Sequence, residues 1–340
     1  MRKHIASLFL SFGILLTGII SILLLAVSPA ELLAQTNLGG QRSGTSSGTF
    51  LKIPVGARAS AMGGVFVAIA DDASDMSWNV GGLTNLTKPE VLVTRIEWPA
   101  DIIYDYVSIV YPVISMNSAF GIQAGTLRTD LLETTEYYPY GTGRTFGFND
   151  TYVGIGFARR FTDKLSIGVG AKYLIEELGT EVGGPTSGAW LLDVGTAYRV
   201  GFQSLRMAIV LSNFGPQLRP SGSYDFGGRT FGYQSFSPPT TFKFGAAMDL
   251  LQNSFYRLTS SVELHHPADN AETIKAGGEL TFSDNLAFRA GYDFNSDTPA
   301  FSFGGGIKAG MGFARGSVDY AFRDAGLFGK ISQFSVSLSF

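Results

Sequence analysis

The sequence predicts an all-β fold, a transmembrane antiparallel β-barrel of about fourteen strands with an N-terminal hatch inside the lumen. Three observations predict it. From Val91 to Phe340 apolar and polar residues alternate with a period of two, in segments near the roughly 9 to 11 residues that a tilted strand needs to cross a bilayer. Short and long connections follow one another in turn, as short periplasmic turns and long outer loops do. Ahead of the strands, Phe50 to Leu86 is glycine-rich and apolar on every side, so wherever it lies its faces must be covered by protein.

Composition agrees. Of 340 residues 43 are glycine, 13% are aromatic and only 16% are charged, a balance that suits strands and tight turns with little solvated surface. The net charge of -3 excludes a basic face able to neutralise many phosphates, and with it a nucleic-acid partner. The absence of cysteine removes disulfides, thiol chemistry and cysteine-ligated metals together.

The chain divides into four parts. Residues 1–34 read as a signal peptide, with Arg2, Lys3 and His4 as its basic start, an apolar run from Ile5 to Val27, and cleavage after Ala34. An uncleaved anchor is the alternative, since the run reaches the roughly 20 residues that span a bilayer. Residues 35–49 form a flexible polar segment, 50–88 the hatch and 89–340 the barrel. Strands are predicted near 91–97, 104–112, 118–128, 149–161, 165–178, 189–199, 205–213, 240–250, 256–266, 273–282, 286–293, 300–309, 312–323 and 331–340. Leu165 to Glu176 shows the pattern: Leu165, Ile167, Val169, Ala171, Tyr173 and Ile175 suit lipid, while Ser166, Lys172 and Glu176 suit a polar interior. Thr129 to Phe148, Gly179 to Gly188 and Asn213 to Pro239 are the expected long outer loops.

Lumen-facing charges of both signs, among them Lys172, Glu176, Asp193, Lys243, Glu263, Lys275, Glu279, Arg289, Asp293, Arg315 and Asp319, read as cross-strand ion pairs rather than a selectivity ring, since neither sign dominates. In the hatch, Asp72 reads as the N-cap of a short helix running to Trp78, with Asp75 in its first turn and Gly81 or Gly82 ending it. Asp71 and Asp72 are expected to face lumen cations such as Arg289 or Arg315. A metal on these carboxylates is the lesser alternative, and no metal or cofactor is expected. His265 and His266 read as surface residues at a strand end with no nucleophile motif beside them, which leaves no catalytic site.

The stretch FLKIPVGARASAMGGVFVAIADDASDMSWNVGGL carries a resemblance. Phe50, Leu51, Gly56, Ala57, Arg58, Met62, Gly63, Gly64, Asp71, Asp72, Ala73, Trp78, Asn79, Gly82 and Leu83 are similar to the amino-terminal signature of the PorV/PorQ family of FadL-like outer-membrane barrels. One departure is Val80-Gly81, where the family usually has Pro-Ala, so no proline fixes φ there. The resemblance implies a fourteen-stranded barrel with its amino-terminal segment inside as a hatch, placed in the outer membrane of a Gram-negative bacterium. It also implies a non-enzymatic role in type IX protein secretion, with a translocon and exported proteins bearing C-terminal sorting domains as partners. A FadL-like channel for hydrophobic small molecules is the alternative, and an outer-membrane lipid hydrolase is disfavoured for want of a histidine-centred site.

Two surface features bear on partners. The outer loops carry aromatics suited to contact, including Tyr138, Tyr140, Phe231 and Tyr233, which could equally form an interfacial belt or pack on each other. The last strand alternates Phe334, Val336, Leu338 and Phe340 with polar residues and ends on an aromatic carboxy terminus, a pattern that resembles the signal read by the barrel assembly machinery.

Overall fold

The computed structural model describes residues 42–132, 137, 139–294, 300–324, 326 and 329–340. The expected signal peptide, the first residues of the flexible segment and Tyr138 lie outside the described residues. Among the described residues no helix is long and apolar enough to cross a membrane. Strands carry the fold instead. In chain order they are β1 (Glu90–Trp98), β2 (Ile102–Val113), β3 (Ser118–Leu132), β4 (Thr145–Arg160), β5 (Leu165–Leu178), β6 (Thr186–Arg199), β7 (Arg206–Phe214), β8 (Ser223–Phe226) and β9 (Arg229–Gly232). They continue with β10 (Thr241–Gln252), β11 (Tyr256–Pro267), β12 (Thr273–Phe282), β13 (Leu286–Phe294), β14 (Ala300–Met311), β15 (Ala314–Asp324) and β16 (Lys330–Ser339).

Fourteen of these close into one antiparallel barrel in chain order, β1 pairing with both β2 and β16, while β8 and β9 form a separate hairpin. Closure leaves every strand of the barrel paired on both sides, which is what a sheet in lipid requires. The register follows the alternation: in β5, Ser166, Gly168, Gly170, Lys172, Leu174 and Glu176 are buried in the lumen while Val169 and Ile175 are exposed on the wall. Closing the seam, Phe334 pairs with Arg95 and Val336 with Val93, and the Phe340 N–H donates to the Pro89 carbonyl at 3.0 Å.

The connections depart from expectation in three ways. β3 and β4 run on through Thr129 and Phe148, which pair with each other, because backbone pairing continues past the alternating segment. The loop between β7 and β10 is not irregular throughout, since β8 and β9 pair inside it. Outer connections are also not uniformly long: residues 99–101 join β1 to β2 and 268–272 join β11 to β12.

Inside the barrel, residues 49–86 form a 3-10 turn (Thr49–Lys52), a short helix (Ala57–Ala61), a helical turn (Asp75–Trp78) and a second 3-10 segment (Val80–Asn85). Its centre, Val65 to Ala70, is buried at every residue, as its lack of alternation demands. Each fully buried Val, Ile or Phe there contributes about 1.5 to 3 kcal/mol relative to an exposed one.

Candidate functional site: the filled lumen and the outer vestibule

The inner segment meets the wall backbone to backbone at glycines. A Cβ added at Gly277 or Gly291 would collide with the Met62 carbonyl, one at Gly168 with the Val80 backbone, and one at Gly81 would lie 2.6 Å from the Gly195 oxygen. Glycine is therefore required on both sides of this contact, a use of close approach rather than of turning. Met76 fills the hollow left by Gly121 and Gly156.

Polar side chains then fix the segment in register. The Trp78 indole N–H donates to the Val55 carbonyl at 2.7 Å. Asn79 donates to the Val67 carbonyl (2.8 Å) and to Thr196 of the wall (3.0 Å), and its side-chain oxygen accepts from the Gly81 N–H at 3.0 Å. That cap holds the Val80-Gly81 turn without the proline. Gly63 and Gly64 both have positive φ, 79° and 76°, which lets the chain reverse after Met62. Gly56 has φ 86°, and a Cβ added at Gly82 would collide with the Ala70 side chain.

Arg58 is the hub of an ion-pair chain. Its guanidinium lies 2.8 Å from each oxygen of Glu279 on β12, 2.5 Å from Asp71 and 3.2 Å from Asp72. Glu279 also takes Arg289 at 2.6 Å, and Arg289 reaches Asp319 at 2.6 Å. Arg58 further stacks on Phe66, 5.1 Å from the ring centroid. Asp71 and Asp72 therefore pair with Arg58 rather than with Arg289, which Glu279 and Asp319 take up, while Arg315 lines the same cavity as both aspartates. A two-oxygen contact buried on both sides is the strong form of an ion pair.

Several other expectations about charges are corrected. Lys172–Asp193 and Lys275–Asp293 are the expected cross-strand pairs between neighbouring strands, at 2.8 and 2.9 Å, but Glu176 and Glu263 bind the inner segment. Glu176 accepts from the Gly48 N–H and the Ser47 hydroxyl, both at 2.6 Å. Glu263 accepts from the Val67 N–H at 2.6 Å and contacts His265 at 2.8 Å. His265 is consequently turned into the lumen rather than exposed, whereas His266 reaches Glu272 at the surface. Sequence alternation places these acids on the inner face; it does not say whether the partner is the next strand or the segment inside.

Asp72 is not an N-cap. The helical turn starts at Asp75 after Ser74, which makes no side-chain cap, and the Asp72 carboxylate accepts from the Ser74 N–H (2.9 Å) and hydroxyl (2.5 Å) instead. The turn ends at Asn79 rather than at a glycine. Asp75 is fully buried with neither oxygen hydrogen-bonded; burial, with the Asp72 and Asp71 charges, pushes its carboxyl well above the ordinary range. Among the described residues no acidic or histidine cluster is arranged to hold a metal ion.

On the outer side of the inner segment lies a vestibule of about 540 Å³, lined by Ile53, Pro54, Trp78 and Trp98 on one hand and Lys172, Lys243, Lys275 and Arg323 on the other. Lys243 sits over the Trp78 ring at 5.0 Å. Beyond it, Tyr140 is almost wholly exposed at 96%, while Tyr224 packs on Phe231 and Tyr233 at 5.8 and 5.4 Å between centroids. The loop aromatics thus divide: Tyr140 is free, and Phe231 and Tyr233 pack within the hairpin.

Residues 36–268 match the family described as Type IX secretion system protein PorV. No curated protein matches the sequence. Among solved structures, the CymD monoaromatic hydrocarbon channel is similar at 16% identity and TM-score 0.55, covering 84% of this chain and 97% of that one. The Ralstonia pickettii toluene transporter TbuX is similar at 14% identity and TM-score 0.55, and the Pseudomonas putida toluene transporter TodX at 14% and 0.54, each with 84% of this chain and 97% of the other covered. At such identities these likenesses show the fold alone. A closed barrel with a lipid-facing apolar wall belongs in the outer membrane, and with residues 36–268 matched the chain belongs to the PorV family of type IX secretion system proteins.

Proposed function

We propose that this protein serves type IX secretion from its outer face, as a closed and non-enzymatic barrel that binds exported proteins with its outer loops while nothing passes through its lumen. The observation that carries the reading is the Arg58–Glu279–Arg289–Asp319 chain, which ties the inner segment to the wall inside the barrel. Removing one member would strand the others as buried charges, so displacement of the segment is opposed at every step. The motif residues Gly56, Arg58, Gly63, Gly64, Asp71, Asp72, Trp78, Asn79 and Gly82 act as the device that seats a permanent hatch. Tyr140 and the β8–β9 hairpin are the surfaces offered to cargo with C-terminal sorting domains and to a translocon.

In this reading residues 1–34 direct export, and Phe334, Val336, Leu338 and Phe340 direct insertion by the barrel assembly machinery. Deleting the gene should leave proteins with sorting domains trapped in the periplasm while uptake of hydrophobic small molecules stays normal. The reverse pattern would sink the proposal. It would favour the second reading, a channel for hydrophobic compounds, which rests on the tryptophan-lined vestibule and on the toluene-transporter fold.

A further inference from the structure

The periplasmic end of the barrel, where the short connections 161–164 and 200–205 lie, gathers cations on neighbouring strands. Arg160 ends β4, Lys164 precedes β5, Arg199 ends β6 and Arg206 begins β7. They belong to the inner face of the wall, in step with Ala158 and Ala208, which are buried in the lumen. Lys164, Arg199 and Arg206 line a cavity of about 510 Å³ that reaches Ile69 and Asn85 of the inner segment, and Arg160 joins them around a smaller hollow beside it.

These charges are poorly matched by acids. Arg206 has Asp249 at 3.1 Å, but among the described residues Arg160, Lys164 and Arg199 form no ion pair. Arg160 donates instead to the Thr84 carbonyl, and Arg199 to the Asn85 side-chain oxygen at 2.9 Å, both at the end of the inner segment. Of the acids lining the two hollows, Asp71 is taken by Arg58 and Asp249 by Arg206 and Thr259. Asp163 is left, one negative charge against the three cations. Arg199 and Arg206 are moreover direct cross-strand partners, and like charges set opposite each other weaken a sheet. An anion in the cavity removes that penalty.

The spacing selects the kind of anion. Adjacent strands lie about 4.8 Å apart, so the row from β4 to β7 spans about 14 Å. A single phosphate or carboxylate cannot reach across it. An extended chain with an acidic side chain at every second residue advances about 6.7 Å per acid and meets the row with two or three carboxylates. Because a guanidinium carries five N–H donors, Arg160 and Arg199 can bind carboxylates while still holding Thr84 and Asn85. We infer that this mouth binds an extended acidic segment of a periplasmic protein, with carboxylates on Arg160, Lys164 and Arg199. The segment lies against the end of the hatch, at the opposite end of the barrel from the loops proposed above to meet cargo, and the inference does not depend on that reading.

The test uses the full-length protein, folded in detergent and checked by its gel shift, with a fluorescein-labelled peptide of alternating glutamate and threonine as probe. A peptide of alternating glutamine and threonine is the comparison. Fluorescence anisotropy should show the glutamate peptide bound at least tenfold more tightly than the glutamine peptide. Arg160→Gln with Arg199→Gln should weaken its binding at least tenfold, and Lys164→Gln, which leaves both contacts to the inner segment in place, at least threefold. Arg257→Gln removes a charge from the same end of the barrel, where Arg257 pairs with Asp284 at 3.1 Å, and should change binding less than twofold. Should the double variant lose the gel shift, Lys164→Gln against Arg257→Gln decides alone. Equal binding of the two peptides, equal losses in Lys164→Gln and Arg257→Gln, or displacement of the probe by inorganic tripolyphosphate at lower concentration than by unlabelled glutamate peptide would overturn the inference. None of these readouts involves export, so the secretion reading stands or falls separately.

Discussion

At the scale of single residues, part of the lumen charge holds the inner segment to the wall. Arg58 serves three carboxylates at once. Arg58→Ala leaves Glu279 to Arg289 alone and strands Asp71 and Asp72, so we expect a loss on the order of 3 to 5 kcal/mol. A lower temperature for loss of the folded-barrel gel shift would report it, and an unchanged temperature would contradict the ion-pair hub. Asp75 behaves oppositely. Its raised pKa means that the folded protein holds a proton the unfolded chain gives up, so its contribution is fully present below the unfolded value of about 3.9 and is lost as pH rises through the higher folded value. Asp75→Asn should match the parent in Tm near pH 4 and exceed it increasingly toward pH 8. A difference that does not change with pH would refute the buried-acid assignment.

At the scale of elements, two periods were legible in the sequence and their partners were not. Alternation in segments such as Leu165 to Glu176 declares a strand and its faces, because burial on one side and lipid on the other select every second residue. The six-residue run Val65 to Ala70 declares burial for the opposite reason. Nothing local says that Glu263 meets Val67, 196 positions earlier, since a lumen-facing acid looks the same whether it pairs across the sheet or caps a backbone N–H inside. The same limit explains Asp72, whose spacing to Asp75 fits a cap but whose side chain turns to Ser74. Sequence does mark the glycines, but only the seating of Met62 shows which ones are contacts. Gly291→Ala should destabilise by about 1 to 3 kcal/mol through overpacking, whereas Gly310→Ala, with nothing within 4 Å of the added Cβ, should not; equal effects on thermal stability would deny the close approach. Removing Phe340, the aromatic end of the closing strand, should lower the amount of heat-modifiable barrel in the membrane several-fold. Full assembly without it would dismiss the carboxy-terminal signal.

At the scale of the whole molecule, the barrel shares its architecture with hydrocarbon channels, yet its family is one of secretion. Those two facts fit together if the lumen serves as a scaffold and the work is done on the outside. The segment inside is bound to the wall on different strands by its ion pairs, its glycine contacts and the Asn79 cap. Secretion should therefore be indifferent to whether the segment can move. Thr84 of the inner segment and Ser166 of β5 offer a way to ask, because their hydroxyls are hydrogen-bonded at 2.7 Å and the protein has no cysteine of its own. A Thr84→Cys, Ser166→Cys variant would form a disulfide that pins the segment in place, and the measurement is the export of a sorting-domain protein in cells that carry only this variant. The account requires export equal to that of either single variant with the disulfide formed; export blocked in the disulfide form and restored on reduction would contradict it.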